Sequence, residues 1–413
     1  MARRKRTGSM AKRLPQPLDL SATPACRHFG VCGGCTWQQS PIAAQRAAKA
    51  EGVAALLREK GLPDVIHAVH DAGLWRTRNR MEFSFGFKRW ILAGEPEGVD
   101  RSFALGLHPQ RRFDRVFDLE ECPVAFEEAE QLVRATRRLA RGLGLSTWNP
   151  VEHRGLLRQL LVRKGLATGE VLLEIVSDGS ADAAVEALAE ALLREPSPPT
   201  TLSHARHAGF ADMTPPNAPR TALHGPGFIH EIVNDVRFRL QPGSFFQPSS
   251  RAAAILAELV VQGVRSRKAR VVEDWCCGTG FFSLQLARAG VPSVRGIEIN
   301  AAAIEDARAN AMLNNLSAEF LVVDIAEHAA SGATAADCIV VDPPRAGLPA
   351  AALAALVRAP AARIIFLACD LAASAAQLSA LVAGGRQLVR TELVDQFPHT
   401  PHVEAVLTLD RNL

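Results

Sequence analysis

The sequence predicts an α/β protein with two parts, a C-terminal doubly wound parallel sheet and, before it, a mixed α+β region entered through a cysteine-rich loop. Three observations carry that expectation. After Gln241 short apolar runs alternate with helix-length, Ala-rich segments, the rhythm of βαβ units. Between Arg78 and Phe87 the alternation is instead apolar and polar, as in a half-buried strand. Between a strand-like and a helix-like run stands the glycine turn Asp274-Trp-Cys-Cys-Gly-Thr-Gly280.

The elements follow in order. Residues 1–25 read as a tail, because Pro15, Pro17 and Pro24 block regular structure. Its first eighteen residues hold six basic side chains (Arg3, Arg4, Lys5, Arg6, Lys12, Arg13) and no acid. Cys26 to Cys35 is a tight Gly-rich loop, and Ala43 to Lys60 has helical periodicity. Leu156 to Val162 and Glu170 to Val176 read as a strand pair, Ala181 to Arg194 as a helix, and Pro196 to Asn217 as loop. The first part is expected to span residues 26–235 and to carry the cysteine loop; the second spans 236–413. In the second part helices are expected at Ala252–Gln262, Phe282–Ala289 and Ala301–Asn314. Strands are expected at Ala269–Trp275, Ser293–Ile299, Phe320–Val323, Ala336–Val341 and Arg363–Ala368.

Composition narrows the function. With 413 residues and 48% apolar content, the chain can bury a sizeable core, which excludes wholesale disorder. No apolar run is long enough to span a bilayer and no signal segment is visible, so a cytoplasmic protein with no membrane partner is expected. Net charge is +4, and it comes from the tail, so nucleic-acid contact is expected through local patches. Eight cysteines in a reducing compartment argue for metal or catalysis rather than disulfides.

The candidate site is built from strand ends. Gly278 and Gly280 let backbone approach a ligand closely. Glu298 ends the next strand, where a carboxylate can accept both hydroxyls of a ribose, and Asp324 ends the third, within reach of an adenine edge. A full Gly-x-Gly-x-x-Gly is missing because position 283 is Ser, which disfavours a dinucleotide. The fourth strand ends in Asp342-Pro-Pro-Arg345, a rigid element whose carbonyls face the cleft and whose Arg345 can hold a substrate oxygen. Phe366-Leu-Ala-Cys369 ends a further strand with a thiol, and Phe397-Pro-His-Thr-Pro-His-Val-Glu404 brings a carboxylate. A thiol and a carboxylate behind a nucleotide-type site point to covalent chemistry on an electron-poor carbon. Cys26, Cys32 and Cys35 lie close together and Cys122 follows; this 3+1 set of thiols suits tetrahedral zinc or an iron–sulfur cluster.

Jointly these motifs resemble the RNA (uracil-5-)-methyltransferases, which make 5-methyluridine in ribosomal or transfer RNA. The resemblance covers nearly the whole chain. It includes Cys26-x5-Cys32-Gly-Gly-Cys35, Arg78-Asn-Arg80, Ser244-Phe-Phe-Gln-Pro248, Asp274 to Gly280, Asp342-Pro-Pro-Arg345, Cys369 and Phe397-Pro-His-Thr-x-His-x-Glu404. It implies a Rossmann-like class I methyltransferase domain, in which Gln247, the position of Cys276, Glu298 and Asp342 contact S-adenosylmethionine. It implies Cys369 as nucleophile, Glu404 as general base, and a structural 4Fe-4S cluster on the four cysteines. Where the family usually has Asn-Pro after the nucleophile this chain has Asp370-Leu371, and the adjacent carboxylate is expected to raise the thiol pKa. The early position of Cys26 makes the chain most similar to the shorter ribosomal-RNA members. The expected activity is methylation of a uridine in 23S ribosomal RNA by a monomer, with transfer RNA or a silent RNA-binding assembly factor as alternatives. Arg76, Arg78 and Arg80 are expected on one strand face as RNA-backbone contacts, and His399 and His402 either as groups that orient Glu404 or bind phosphate or as satisfied loop histidines.

Overall fold

A computed structural model describes residues 19–412, apart from 212, 216, 333 and 334. The six basic residues of the expected tail lie outside the described residues.

The described chain opens with the cysteine loop and a helix, α1 (Ile42–Glu59), then β1 (Ile66–Asp71), β2 (Arg80–Gly86), β3 (Ala104–Leu107) and β4 (Phe117–Asp118). Next come α2 (Glu127–Gly142), β5 (Leu157–Lys164), β6 (Val171–Ser177), α3 (Asp182–Leu193), β7 (Thr201–Arg206) and β8 (Arg220–His224). A hairpin of β9 (Ile229–Val233) and β10 (Val236–Leu240) leads to α4 (Ser250–Arg265). The alternating part is β11 (Val271–Trp275), α5 (Phe281–Arg288), β12 (Ser293–Glu298), α6 (Ala301–Leu313), β13 (Glu319–Val322), α7 (Ile325–Ala330) and β14 (Cys338–Val341). It continues through α8 (Ala350–Arg358), β15 (Arg363–Ala368), α9 (Leu371–Ala383), β16 (Arg386–Asp395) and β17 (Glu404–Arg411).

Two large sheets result. The first runs β4-β3-β2-β5-β6-β7-β8, and the second β1-β16-β17-β15-β14-β11-β12-β13. The second is Rossmann-like, with strands buried on both faces. One core joins α1, α8 and α9 to the sheet, and the other joins α4, α5, α6 and the β9–β10 hairpin to its opposite face. A third core lies under the first sheet, against α2 and α3.

Four expectations meet a different structure. The purely parallel C-terminal sheet is mixed, since β17 runs antiparallel to both β15 and β16. The expected loop 196–217 contains β7, which pairs in parallel with β6 and is almost wholly buried. Its polar residues hid it: the His204 ring meets Ser177 Oγ at 2.7 Å and Thr201 Oγ1 donates to the His224 carbonyl, so burial needs no apolar alternation. The arginine face does not form, because β2 begins only at Arg80 and Arg76 sits at φ +53° before it. Arg76 instead pairs with Glu130 at 2.5 Å and donates to the carbonyls of Cys122 and Ala125. Finally, α1 and β1 from the 26–235 stretch pack on the second sheet, where β1 pairs in parallel with β16.

Candidate active site

Strands β11, β12, β13, β14 and β15 run parallel, so their carboxyl ends share one edge, the edge where open α/β sheets take ligands. At the end of β11 the chain turns through three left-handed residues: Cys276 at φ +62°, Gly278 at +52° and Gly280 at +81°. A side chain on Gly280 would meet Ala307 at 3.0 Å and Phe320 at 3.1 Å, so the turn packs tightly against α6 and β13. Asp274 is fully buried beneath it. Its Oδ2 accepts from the Ser283 amide at 2.9 Å and hydroxyl at 2.6 Å, and its Oδ1 has no partner among the described residues. Burial pushes its carboxyl up to about 7. Ser283, which breaks the dinucleotide pattern, thus ties the helix start to the strand.

Glu298 closes β12. Its carboxylate accepts from the Gly278 amide at 3.2 Å and the Asn300 amide at 2.9 Å, so it is oriented across the glycine turn with lone pairs to spare. Beside it Ile299 is 68% exposed, an apolar side chain at the mouth of the cleft. Asp324 caps α7, accepting from Ala326 at 2.7 Å through Oδ1. These residues have the chemistry to fit an adenosine: close backbone, an oriented carboxylate and an apolar rim.

A polar chain runs from there into the substrate side. Gln247 Nε2 donates to Asp342 at 3.3 Å, Gln396 Nε2 reaches Gln247 Oε1 at 3.3 Å, and the same amide lies 3.5 Å from Glu404. Asn79 Nδ2 donates to the Gln247 carbonyl at 2.9 Å and so joins the segment before β2 to the site. Glu404 is 2% exposed. Burial, and then Asp342, hold its carboxyl well above the usual range while Arg345 opposes them. Burial likewise brings Asp342 to about 7.

Cys369 follows the last residue of β15. The antiparallel register ends at Ala368 opposite Ala405, beside Cys369 on one strand and Glu404 on the other, and Glu404 acts electrostatically on the thiol. Burial, then Glu404, pushes the thiol up to about 11, and Arg345 opposes the rise. Asp370 is not among the principal causes. Its carboxylate turns away to cap α9, accepting from Ala373 at 3.2 Å, which corrects the expectation of an Asp370-raised thiol.

His399 takes the role of a loop histidine held by its neighbours. His399 stacks on Trp75 at 4.1 Å, meets Gln45 Nε2 at 3.2 Å, and is pushed down to about 4 by burial, so it is neutral and unsuited to phosphate. Burial lowers His402 as well. Sequence reading missed the support behind them. Lys49 of α1, buried, pairs with Asp395 and donates to the Phe397 carbonyl at 2.9 Å, and Gln45 accepts from the His399 amide at 2.8 Å. The only signal was a Gln and a Lys four residues apart on an Ala-rich helix. Gln396 and Asn79 were also missed, although each sits beside or within a motif.

Cys26, Cys32, Cys35 and Cys122 are all free thiols. The first three share the loop 26–35, and the Cys122 amide donates a hydrogen bond to Glu130 Oε1 at 2.8 Å. They lie within electrostatic reach: Cys32 and Cys26 raise Cys35, and Cys35 and Cys32 raise Cys122, in each case after burial. Arg78 feels both Cys35 and Cys122, and its guanidinium stands 5.0 Å over the Phe397 ring, between this group and the catalytic cleft. The donor set suits a thiolate-held metal. Among the described residues, however, no three ligating side chains converge on one metal-sized point.

Comparison with known proteins adds the following. A family model described as tRNA (uracil-5-)-methyltransferase matches residues 231–412. An uncharacterized RNA methyltransferase of Gloeobacter violaceus is 34% identical over 92% of this chain and 81% of its own length. One of Porphyromonas gingivalis is 31% identical over 97% and 89% respectively. Among solved structures, the Pyrococcus abyssi tRNA (uracil-54, C5)-methyltransferase in complex with S-adenosyl-L-homocysteine superposes with a TM-score of 0.72. It is 26% identical and covers 92% of this chain and 86% of its own.

Proposed function

The chain belongs to the RNA (uracil-5-)-methyltransferase family, and from that premise we propose that it methylates carbon-5 of a uridine in 23S ribosomal RNA through a covalent adduct on Cys369. S-adenosylmethionine-dependent uracil-5 methylation of RNA is the family activity; the ribosomal target and the residue roles are our reading. What supports the roles is that the β15–β17 register ends at Ala368 opposite Ala405, next to Cys369 on one strand and Glu404 on the other, with Glu404 and Asp342 both acting on the thiol.

Carbon-5 of uracil is a poor nucleophile. The Cys369 thiolate adds to carbon-6, and the ring electrons move to the carbon-4 oxygen as an enolate. Bound S-adenosylmethionine supplies the methyl group to carbon-5. Glu404 then takes the carbon-5 proton, and the electron pair left behind expels the Cys369 thiolate. Arg345 opposes the burial of both groups and steadies the thiolate. Gln247, the backbone at Cys276, Gly278, Gly280, Glu298, Asp324 and Asp342 hold the methyl donor. Buried target bases must first be extruded, at a cost of a few kcal/mol.

In this reading the four cysteines would hold a 4Fe-4S cluster, which the all-thiol set supports, although no three of them converge on one metal-sized point among the described residues. Its role is structural, joining loop 26–35 to the Cys122 segment. Iron and acid-labile sulfide at about four each per chain are expected in protein purified without oxygen; stoichiometric zinc without sulfide would make this a zinc site instead.

Transfer RNA is the second reading, favoured by the likeness to the Pyrococcus abyssi enzyme. Nucleoside mass mapping of ribosomal and transfer RNA separates the two, with and without the gene. Loss of 5-methyluridine from ribosomal RNA alone is expected, and loss from transfer RNA alone overturns the target. For the chemistry, Cys369→Ser should lose methyl transfer by about a thousandfold or more while still binding RNA. Full-rate methylation by Cys369→Ser would remove the covalent step.

A further inference from the structure

The connection between β3 and β4, residues 108–116, reads His-Pro-Gln-Arg-Arg-Phe-Asp-Arg-Val and is used by nothing described so far. Phe113 at its tip is 85% exposed, the most exposed large apolar side chain among the described residues. Arg111 beside it is exposed and left-handed at φ +59°, which gives the tip a sharp bend. Arg112 lies 5.7 Å over the Trp90 ring and is held by Asp114 at 2.9 and 3.0 Å. The tip is therefore a built finger. His108 pins its base, meeting the Arg115 carbonyl at 2.8 Å and Ser84 Oγ at 2.9 Å. Gln110 anchors it to the cysteine loop, donating its amide to the Val31 carbonyl at 2.8 Å and its side chain to the Cys32 carbonyl at 3.3 Å.

A single exposed ring means little by itself, but one fixed on an ordered support between arginines offers a flat face to a base. The finger carries three arginines against one aspartate, so its charge fits a polyanion. Aromatic rings interleaved with arginine are how proteins grip unpaired nucleotides: the ring stacks on a base and the guanidinium takes phosphate. We propose that this finger is a second RNA-contact site, in which Phe113 stacks on an unpaired base of the substrate outside the catalytic cleft and Arg111 pairs with the adjoining phosphate. It rests on the reading of the chain as an RNA methyltransferase. It adds affinity and target choice rather than chemistry.

The test is made on the full-length protein. Phe113→Ala should raise KM for ribosomal RNA on the order of tenfold with kcat unchanged, and Phe113→Trp should restore it where Phe113→Leu does not. A short fluorescein-labelled single-stranded RNA should bind Phe113→Ala correspondingly more weakly, while its duplex form shows no difference. Arg111→Ala should lessen the dependence of log affinity on log salt by about 0.7. Unchanged KM and unchanged single-strand affinity in Phe113→Ala overturn the proposal and leave the tip to a protein partner. If the wild type methylates no RNA, the functional reading fails, but the single-strand binding comparison still decides the finger.

Discussion

At the scale of single residues, the site is a set of acids that do not want their charge. Burial raises Cys369, Glu404 and Asp342 together, and Arg345 is the neighbour that opposes this at Cys369 and Glu404. The reaction needs Cys369 as thiolate and Glu404 as carboxylate, both scarcer at neutral pH than unperturbed groups would be. The free-enzyme profile should therefore climb through the neutral range toward the thiol's value of about 11 instead of forming a bell centred near neutrality. Arg345→Gln removes the opposing charge, so kcat/KM should fall on the order of tenfold at neutral pH, with the profile displaced to higher pH. Rates that do not respond to pH in either protein would show that proton loss from Cys369 is not part of the limiting step. Cys369, Glu404 and Asp342 were legible in the sequence because each closes a short run of fixed spacing. Gln396 was not, because its partners Gln247 and Glu404 lie 149 and 8 residues away, and only folding brings the three together.

At the scale of elements, the segment leading to Glu404 is held from behind by a helix at the other end of the chain. Lys49 on α1 and Asp395 at the end of β16 are both 0% exposed at the side chain, with Arg46 adding a 3.2 Å contact to the same carboxylate. A buried pair contributes little net stability, but removing Lys49 leaves the buried Asp395 carboxylate to Arg46 alone. Lys49→Met should thus cost about 3 kcal/mol, the lower end for a broken buried pair, in denaturant unfolding and lower kcat through displacement of the Phe397–Glu404 segment. Lys49→Met combined with Asp395→Leu should recover most of the stability. A double variant as unstable as the single one would show that the clamp works through shape rather than charge. Periodicity gave α1 to within a residue at each end, yet it said nothing of where α1 docks. It missed β1 and β7 for the opposite reason: both are short, carry histidines, and owe their strand geometry to a neighbour rather than to an alternating pattern.

At the scale of the whole molecule, the α/β class followed from the strand–helix rhythm after Gln241, which a buried sheet imposes on any sequence that covers both its faces. What the rhythm could not carry is the cost of the site to the fold. Asp274, wholly buried, is raised from 3.8 to about 7, so between those values the folded chain holds a proton that the unfolded chain has released. The sign is then fixed: stability falls as pH rises through this window, and above it the loss amounts to about 4 kcal/mol. His399, lowered to about 4, acts the other way, gaining stability as pH rises toward its unfolded value of 6.5. The raw pH profile of the wild type therefore mixes opposing slopes, and a difference measurement is required. Asp274→Asn keeps an oxygen for Ser283 and removes the charge, while groups it does not face, His399 among them, titrate as before. Its stability relative to wild type should improve by about 3 kcal/mol between about pH 4.5 and about pH 7.5 in denaturant unfolding. A gap that stays constant over that interval would mean that Asp274 is solvated or paired in the folded chain, and that the glycine turn does not rest on a reluctant acid.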